Sequence, residues 1–297
     1  MFLRKYGTII AAKANIKEVT MKKIILVMIT LVLLVSTAGV FAACSNVNQL
    51  NMLSIGWLDK ESYTYDVVYN EQVIGEMTYT FKRVLNGKES TPAGEYEISS
   101  GGYCEYSLNI TGGEYAGSTI YSKVILSSTL TPIASYKKYD SSNDALDYEV
   151  TTDYRSKKGS ILINGKEHTF KKSASTFDND SLYTVIRASV FSPEKNNYSL
   201  SMSVVSNDTA EVRTISVAKI SAEADKKSKL LDDKSKQIEF KCSTFRIAVP
   251  AKYGDGTFTY MSFANDAYKF EGKSLIKLPV EIIEGDYTYV LKGINLE

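Results

Sequence analysis

Hydrophobic and polar positions alternate along most of this chain. From Ser62 onward, Tyr63, Tyr65, Val67 and Tyr69 fall on one face and Thr64, Asp66 and Val68 on the other, the period of two that marks a half-buried strand. Val73 to Phe81 repeats the pattern after Asn70-Glu71-Gln72, so the two segments predict a hairpin. Further strands are expected at Glu95–Ser99, Cys104–Ile110, Ser118–Leu126, Ile133–Tyr139, Tyr148–Tyr154 and Lys158–Ile163, most of them separated by Gly, Asn, Ser or Asp clusters. Asn164-Gly165 suits a tight turn with positive φ at both central residues, and it places Glu167–Lys171 antiparallel to Gly159–Ile163. Strand texture resumes at Ser199–Val205, Ala210–Ile220, Gln237–Val249, Gly256–Phe263, Leu275–Ile282 and Tyr287–Ile294.

One helix interrupts this series. Over Asp180–Val190, residues Leu182, Val185, Ile186 and Val190 recur at helical spacing, Asp178 or Asp180 can cap the start, and Pro193 lies beyond the end. Glu223–Gln237 (EADKKSKLLDDKSKQ) is charged and lacks β-branched residues. It is expected to be a solvated excursion between two strands or a short helix, with a partner-binding arm as the alternative. Many antiparallel strands in succession twist too strongly to stay flat. The fold class that follows is mainly β: one large curved antiparallel sheet, a half-barrel or barrel, with one central helix in a single domain over 61–297. Its concave side could be filled by side chains, by the helix or by an apolar ligand, because alternation is the same in all three cases.

The N-terminal region has a different pattern. Ile24 to Val35 reads IILVMITLVLLV, without a charge, after Met21-Lys22-Lys23 and before small residues, which is the layout of a signal peptide. A membrane-spanning helix needs roughly 20 apolar residues, and the run is just long enough if counted on to Ala43, so the residues behind it decide. Phe41-Ala42-Ala43-Cys44 resembles the lipobox of bacterial lipoproteins, in which the thiol is lipidated and the chain is cut before it; Leu is commoner at the Phe41 position. The alternatives are an uncleaved anchor and ordinary cleavage after an Ala-x-Ala-like site. The expected layout is an upstream extension over 1–20, a signal peptide over 21–43, Cys44 as the lipidated residue, and a tether over 44–60.

Cleavage before Cys44 leaves 29 Lys and Arg against 33 Asp and Glu, a net charge of about −4. No nucleic-acid partner and no polybasic membrane patch is expected from that balance. Two further cysteines remain, Cys104 and Cys242, either paired as a disulfide or sitting separately as buried thiols.

Five stretches carry a resemblance to a known group: Tyr65–Gly75 (YDVVYNEQVIG), Leu130–Tyr139 (LTPIASYKKY), Asp178–Ala188 (DNDSLYTVIRA), Gln237–Val249 (QIEFKCSTFRIAV) and Lys277–Gly293 (KLPVEIIEGDYTYVLKG). In their order the chain resembles a bacterial envelope family, domain of unknown function family 3108, which is compared with lipoprotein-carrier half-barrels. The resemblance implies a half-barrel in the cell envelope and brings no catalytic residue with it. The chain departs from that family at Lys241-Cys242-Ser243-Thr244-Phe245, where a Pro-Ala-Gly-Thr-Phe-like turn is usual, and in the charged stretch 223–237.

Chemistry is sparse. The single histidine, His168, lies beside the Asn164-Gly165 turn, which strains any Ser-His-Asp, Cys-His or multi-histidine metal reading. Asp178/Asp180 and Asp140/Asp144 are carboxylate pairs in loops, and DNDSLY lacks the ligand spacing of a calcium loop, so helix capping is the expectation there. Gly112-Gly113-Glu114-Tyr115-Ala116-Gly117 has glycines but no following Lys-Ser/Thr, and reads as a hairpin turn. The 21 tyrosines are expected chiefly in sheet packing. No catalytic residue, metal or cofactor is expected. The expected role is a non-enzymatic lipoprotein on the outer face of the cell membrane, held there by its lipid anchor and binding a lipid or other apolar ligand in its curved sheet. The alternative is an envelope module that docks a protein partner through a sheet edge or the 223–237 arm.

Overall fold

The computed structural model describes residues 58–142, 147–173, 176–189, 199–206, 209–220, 223–248 and 258–297. All of them fall in one compact unit, Asn46–Glu297. Residues 1–57, with Cys44 among them, and Asp144, Val190 and Pro193 lie outside the described residues.

In chain order the elements are β1 Lys60–Tyr69, β2 Gln72–Thr91, β3 Gly94–Ile110, β4 Thr119–Ser127, β5 Pro132–Asp140, β6 Tyr148–Asp153, β7 Lys158–Ile163, β8 Lys166–Lys171 and β9 Thr176–Asp178. After the helix α1 Leu182–Ala188 come β10 Ser199–Val205, β11 Val212–Lys219, β12 Ala224–Leu231, β13 Gln237–Ala248 and β14 Phe258–Ala264. The series closes with β15 Tyr268–Phe270, β16 Lys273–Leu275, β17 Pro279–Glu284 and β18 Tyr287–Leu296. The structure is mainly β, with a single short α-helix among the described residues, as the alternation predicts.

Sixteen strands form one sheet, and β15 and β16 form a separate ribbon. β1 to β8 is an eight-stranded meander; on the other side of β1 the order continues β18, β17, β14, β13, β11, β10 and β9. Every pairing is antiparallel except β9 with β10. The first half of β13 pairs with β12 and its second half with β11. Inward parity follows the sequence: Tyr63, Tyr65 and Val67 are fully buried, while Asn70 and Glu71 make the turn to β2 with positive φ. Asn164 and Gly165 do the same between β7 and β8.

The sheet rolls until its two ends touch. Val150, Tyr154, Ile161 and Phe170, from the β6–β8 end, share a core with Val205 of β10, and Val212 of β11 packs against it. Tyr154 Oη donates a 2.6 Å hydrogen bond to Asp178 Oδ2 at the end of β9. The strand path ends in β8 on one side and β9 on the other. The seam is therefore joined by side chains rather than by a backbone ladder, which makes the sheet barrel-like and leaves β8 and β9 as the ends of its strand path among the described residues.

Three expectations need correction. The strands at Glu95–Ser99 and Cys104–Ile110 are one continuous β3, because Gly101-Gly102 mark close approach rather than a turn. A Cβ on Gly101 would lie 2.2 Å from Leu126 O, and one on Gly102 would lie 2.2 Å from Lys82 O. The stretch 223–237 is neither helix nor free arm: it holds β12 and the turn into β13. Only Ser228 and Leu230 of β12 are buried, so the inward face of this strand carries almost no apolar signal. Leu275–Ile282 is not one strand, since the chain leaves the ladder at Ile276-Lys277, where Lys277 takes φ +49° and two carbonyls turn toward Arg187.

The barrel is filled by its helix. Asp178 caps a 3-10 turn, Asn179–Ser181, by accepting from Asp180 N at 2.9 Å, and the chain then enters α1. Leu182, Thr184, Val185, Ile186, Arg187 and Ala188 are all buried and Tyr183 is half-buried, so this helix has almost no solvent face. Its apolar side chains join the main core. Its polar ones find barrel partners: Thr184 Oγ1 bonds Tyr79 Oη. Arg187 Nη1 donates to Glu61 Oε2 at 2.6 Å, Nε to Lys277 O at 3.0 Å and Nη2 to Ile276 O at 2.8 Å. The concave face is thus occupied mainly by α1, and a space remains beyond the helix start.

Candidate functional site

That space is a chamber of about 280 Å³ between the start of α1 and one end of the barrel. Met77, Leu108, Ile120, Leu182, Ile215 and Ile247 supply its apolar wall, drawn from strands β2, β3, β4, β11 and β13 and from the helix. Three charged groups reach it: Lys137 from β5, Asp180 from the helix lead-in and Glu284 from the end of β17. Tyr106, Tyr183 and Tyr289 stand among them. A second space of about 270 Å³ shares Leu108, Ile120 and Tyr289 with the first and extends along Val67, Ile110, Tyr115, Tyr139 and Tyr287 toward the strand ends. Together they form an inner chamber with an apolar, tyrosine-rich vestibule. Each is near the small end of the roughly 300–1,000 Å³ range of ligand sites, and mostly apolar walls with a few convergent polar groups are the usual composition of such sites.

The charged groups differ in how they are satisfied. Asp180 Oδ1 accepts from Lys137 Nζ at 3.2 Å, and its Oδ2 accepts from Ser122 Oγ at 2.7 Å. Burial, the largest single effect, would lower the Lys137 ammonium, but Asp180, Tyr106 and Tyr148 together outweigh it and hold the group well above its ordinary value. Glu284 has no cation within 4 Å among the described residues; its Oε1 accepts from Tyr183 Oη at 2.5 Å and its Oε2 from Tyr289 Oη at 3.3 Å. Burial pushes the Glu284 carboxyl above the ordinary carboxylate range, and the two phenol hydrogen bonds and the Lys137 charge offset part of that shift. Asp178, below the chamber, is also raised, by burial first and by the neighbouring Asp180 second.

The residues singled out by sequence are scattered. Asp178 and Asp180 come together at the helix start, where Asp178 is the cap and Asp180 faces the chamber. Asp140 pairs with Lys138 at 2.8 Å on the outside of β5. His168 lies on the edge strand β8 opposite Ile161, away from the chamber. Gly112–Gly117 is the loop between β3 and β4, and it contributes Tyr115 to the vestibule. Cys104 and Cys242 are not joined: both are free, buried thiols, in β3 and β13, and burial pushes each up to about 12. No group of three metal-ligating side chains occurs among the described residues. No helix among them is long and apolar enough to cross a membrane.

Lys137, Tyr183, Glu284 and Tyr289 are not singled out by local motifs. Their signal is parity: Lys137 shares a strand face with Ser135 and Tyr139, and a lysine on an inward face needs a partner.

No family model and no curated protein matches the chain. Among solved structures it is similar to a β-barrel-like protein of the domain of unknown function DUF1849 from Brucella abortus, at 10% identity over 81% of this chain and 98% of that one, with a TM-score of 0.46. It is also similar to a protein from Bacteroides fragilis, described as exported and as having a YmcC-like fold, at 8% identity over 80% of this chain and 96% of that one, with a TM-score of 0.28.

Proposed function

We propose that this chain is a lipoprotein on the outer face of a bacterial cell membrane, anchored by lipid on Cys44, whose barrel binds a small apolar or amphipathic ligand without catalysing a reaction. The observation that carries the binding reading is the chamber and vestibule at one barrel end, the inner part of the lumen that α1 leaves open. Anchoring rests on Phe41-Ala42-Ala43-Cys44 behind an uncharged apolar run.

The ligand is smaller than an open half-barrel would accept, because α1 occupies the centre. Docking of a protein partner is the weaker reading. The 223–237 stretch is built into the sheet, and the free edge at β8 is flanked by Lys166 and Lys171, with Lys157, Lys158 and Lys172 nearby, a pattern that discourages strand addition.

Two measurements on the full chain test the proposal. Metabolic labelling with a palmitate analogue should mark the wild type and not Cys44→Ser. A fluorescent apolar ligand should bind the purified protein and be excluded by Ile215→Trp, which fills the inner chamber. Equal labelling of both chains removes the anchor, and absence of uptake, or uptake unaffected by the tryptophan, removes the chamber.

A further inference from the structure

We infer that the inner chamber selects a ligand with a positively charged ammonium head and an apolar body, the head lying against Glu284 and the body extending into the vestibule. This deepens the binding proposal above and rests on it.

The argument begins with charge. Three ionisable charged groups line the chamber, Lys137, Asp180 and Glu284, and the lysine is committed to Asp180 at 3.2 Å, with the Tyr106 ring 5.9 Å from its Nζ. Glu284 is left with neutral donors only, the hydroxyls of Tyr183 and Tyr289. Lys137 acts on Glu284 only from across the chamber, so a carboxylate deep in an apolar setting is left with no cation in contact, and a ligand cation placed there supplies that contact. Tyr106, Tyr183 and Tyr289 surround the same space, and aromatic faces attract an ammonium group and leave an anion unsupported.

The same reasoning disfavours a fatty acid. Its carboxylate would face both Glu284 and Asp180, and the one lysine is already engaged. The outer wall fits the body of the ligand: Val67, Leu108, Ile110 and Ile120 are apolar, and Tyr115, Tyr139 and Tyr287 offer flat ring surfaces.

Glu284 must be ionised to hold a cation, and burial raises its carboxyl. Ammonium affinity therefore falls as pH drops through that raised range. The groups facing Glu284 are Tyr183 on α1, Tyr289 on β18, Lys137 on β5 and Asp180 before α1. The tyrosines stay neutral, since burial raises both phenols, and Lys137 stays charged through this range. The pH dependence thus belongs to Glu284.

The test compares hexylamine, hexyltrimethylammonium, hexanol and hexanoate by calorimetry on the full chain, in wild type and in Glu284→Gln. At least one ammonium compound should bind about tenfold tighter than hexanol, with hexanoate weakest, and Glu284→Gln should bring the ammonium compound down to the hexanol value. If Glu284→Gln does not fold, the wild-type pH series decides: ammonium affinity should fall on acidification while hexanol affinity holds. Hexanol equal to or tighter than both ammonium compounds, hexanoate tighter than either, or ammonium binding independent of pH overturns the cationic assignment and leaves the binding proposal standing. No binding by any of the four overturns both.

Discussion

Replacing Arg187 by Met tests whether the helix is locked into the barrel by one guanidinium. Arg187 and Glu61 are almost completely buried, at 3% and 0% exposure, and the pair is 2.6 Å apart. Tyr63 Oη also bonds the same carboxylate, and the Arg187 guanidinium lies 5.4 Å from the Tyr63 ring centre. Methionine keeps most of the length and apolar stem but leaves Glu61 as an uncompensated buried charge, which costs about 3–5 kcal/mol. The carbonyls of Ile276 and Lys277 lose their donors as well, adding about 1–3 kcal/mol if water does not reach them. A domain of this size is stable by only about 5–15 kcal/mol, and each kcal/mol shifts Tm by about 2–4 °C. Arg187→Met should therefore lower Tm by roughly 8 °C or more, with a matching fall in the urea midpoint.

The double variant Arg187→Met, Glu61→Leu separates the two causes. Removing both charges should recover most of the ion-pair cost and none of the carbonyl cost. A loss below about 1 kcal/mol in the single variant, or a double variant no more stable than the single one, would refute the claim that this pair fixes the helix.

Three further outcomes follow from the same structure. Burial and the Arg187 charge lower Lys277 to about 8; a folded-state value below the unfolded one means the charged form is penalised in the fold, so stability should rise from pH 8 toward 10 as the proton is lost. Because Lys277 is only partly buried the gain is about 1–2 kcal/mol, and urea midpoints should show it in the wild type and not in Lys277→Met. Glu284→Gln should be at least as stable as the wild type at pH 7–8, because it removes a buried carboxylate whose folded-state value is raised; a clear drop in Tm there would show that Glu284 is held as a stabilising anion. Cys104 and Cys242 should resist iodoacetamide in the native protein and react fully in denaturant, whereas fast native labelling, or a peptide linking the two, would contradict their placement as separate core thiols.

What the sequence discloses depends on how local the cause is. β1 is legible because one face is buried from end to end, and the same parity that puts Tyr63, Tyr65 and Val67 inside also puts Glu61 inside. The turn at Asn164-Gly165 is legible because positive φ has a residue signature, and Asn70 carries half of that signature at the turn where Glu71 also takes positive φ. β12 is not, since its strand state comes from pairing with β13 while its inward face offers only Ser228 and Leu230. Gly101-Gly102 mislead for a related reason: a glycine pair looks the same whether it opens a turn or lets neighbouring strands approach, and only the positions of Leu126 and Lys82 decide.

The chamber is harder still to read, because its chemistry is assembled from segments that look ordinary one at a time. Lys137 sits in a tyrosine- and lysine-bearing strand, Asp180 in a capping sequence, and Glu284 beside a turn glycine. They meet only because the sheet rolls and α1 stops short of the barrel end. The same event settles which of the three fillings of the concave face applies. A helix that is buried all round requires polar partners from the barrel wall, and the wall supplies them to Thr184 and Arg187. Glu284 is the charged group of the chamber that the wall contacts with hydroxyls alone, its one facing cation, Lys137, being in contact with Asp180 instead. An inward carboxylate contacted only by hydroxyls is the feature on which the binding proposal turns, because a core that is merely imperfectly filled has no reason to bury a charge without an opposite charge in contact.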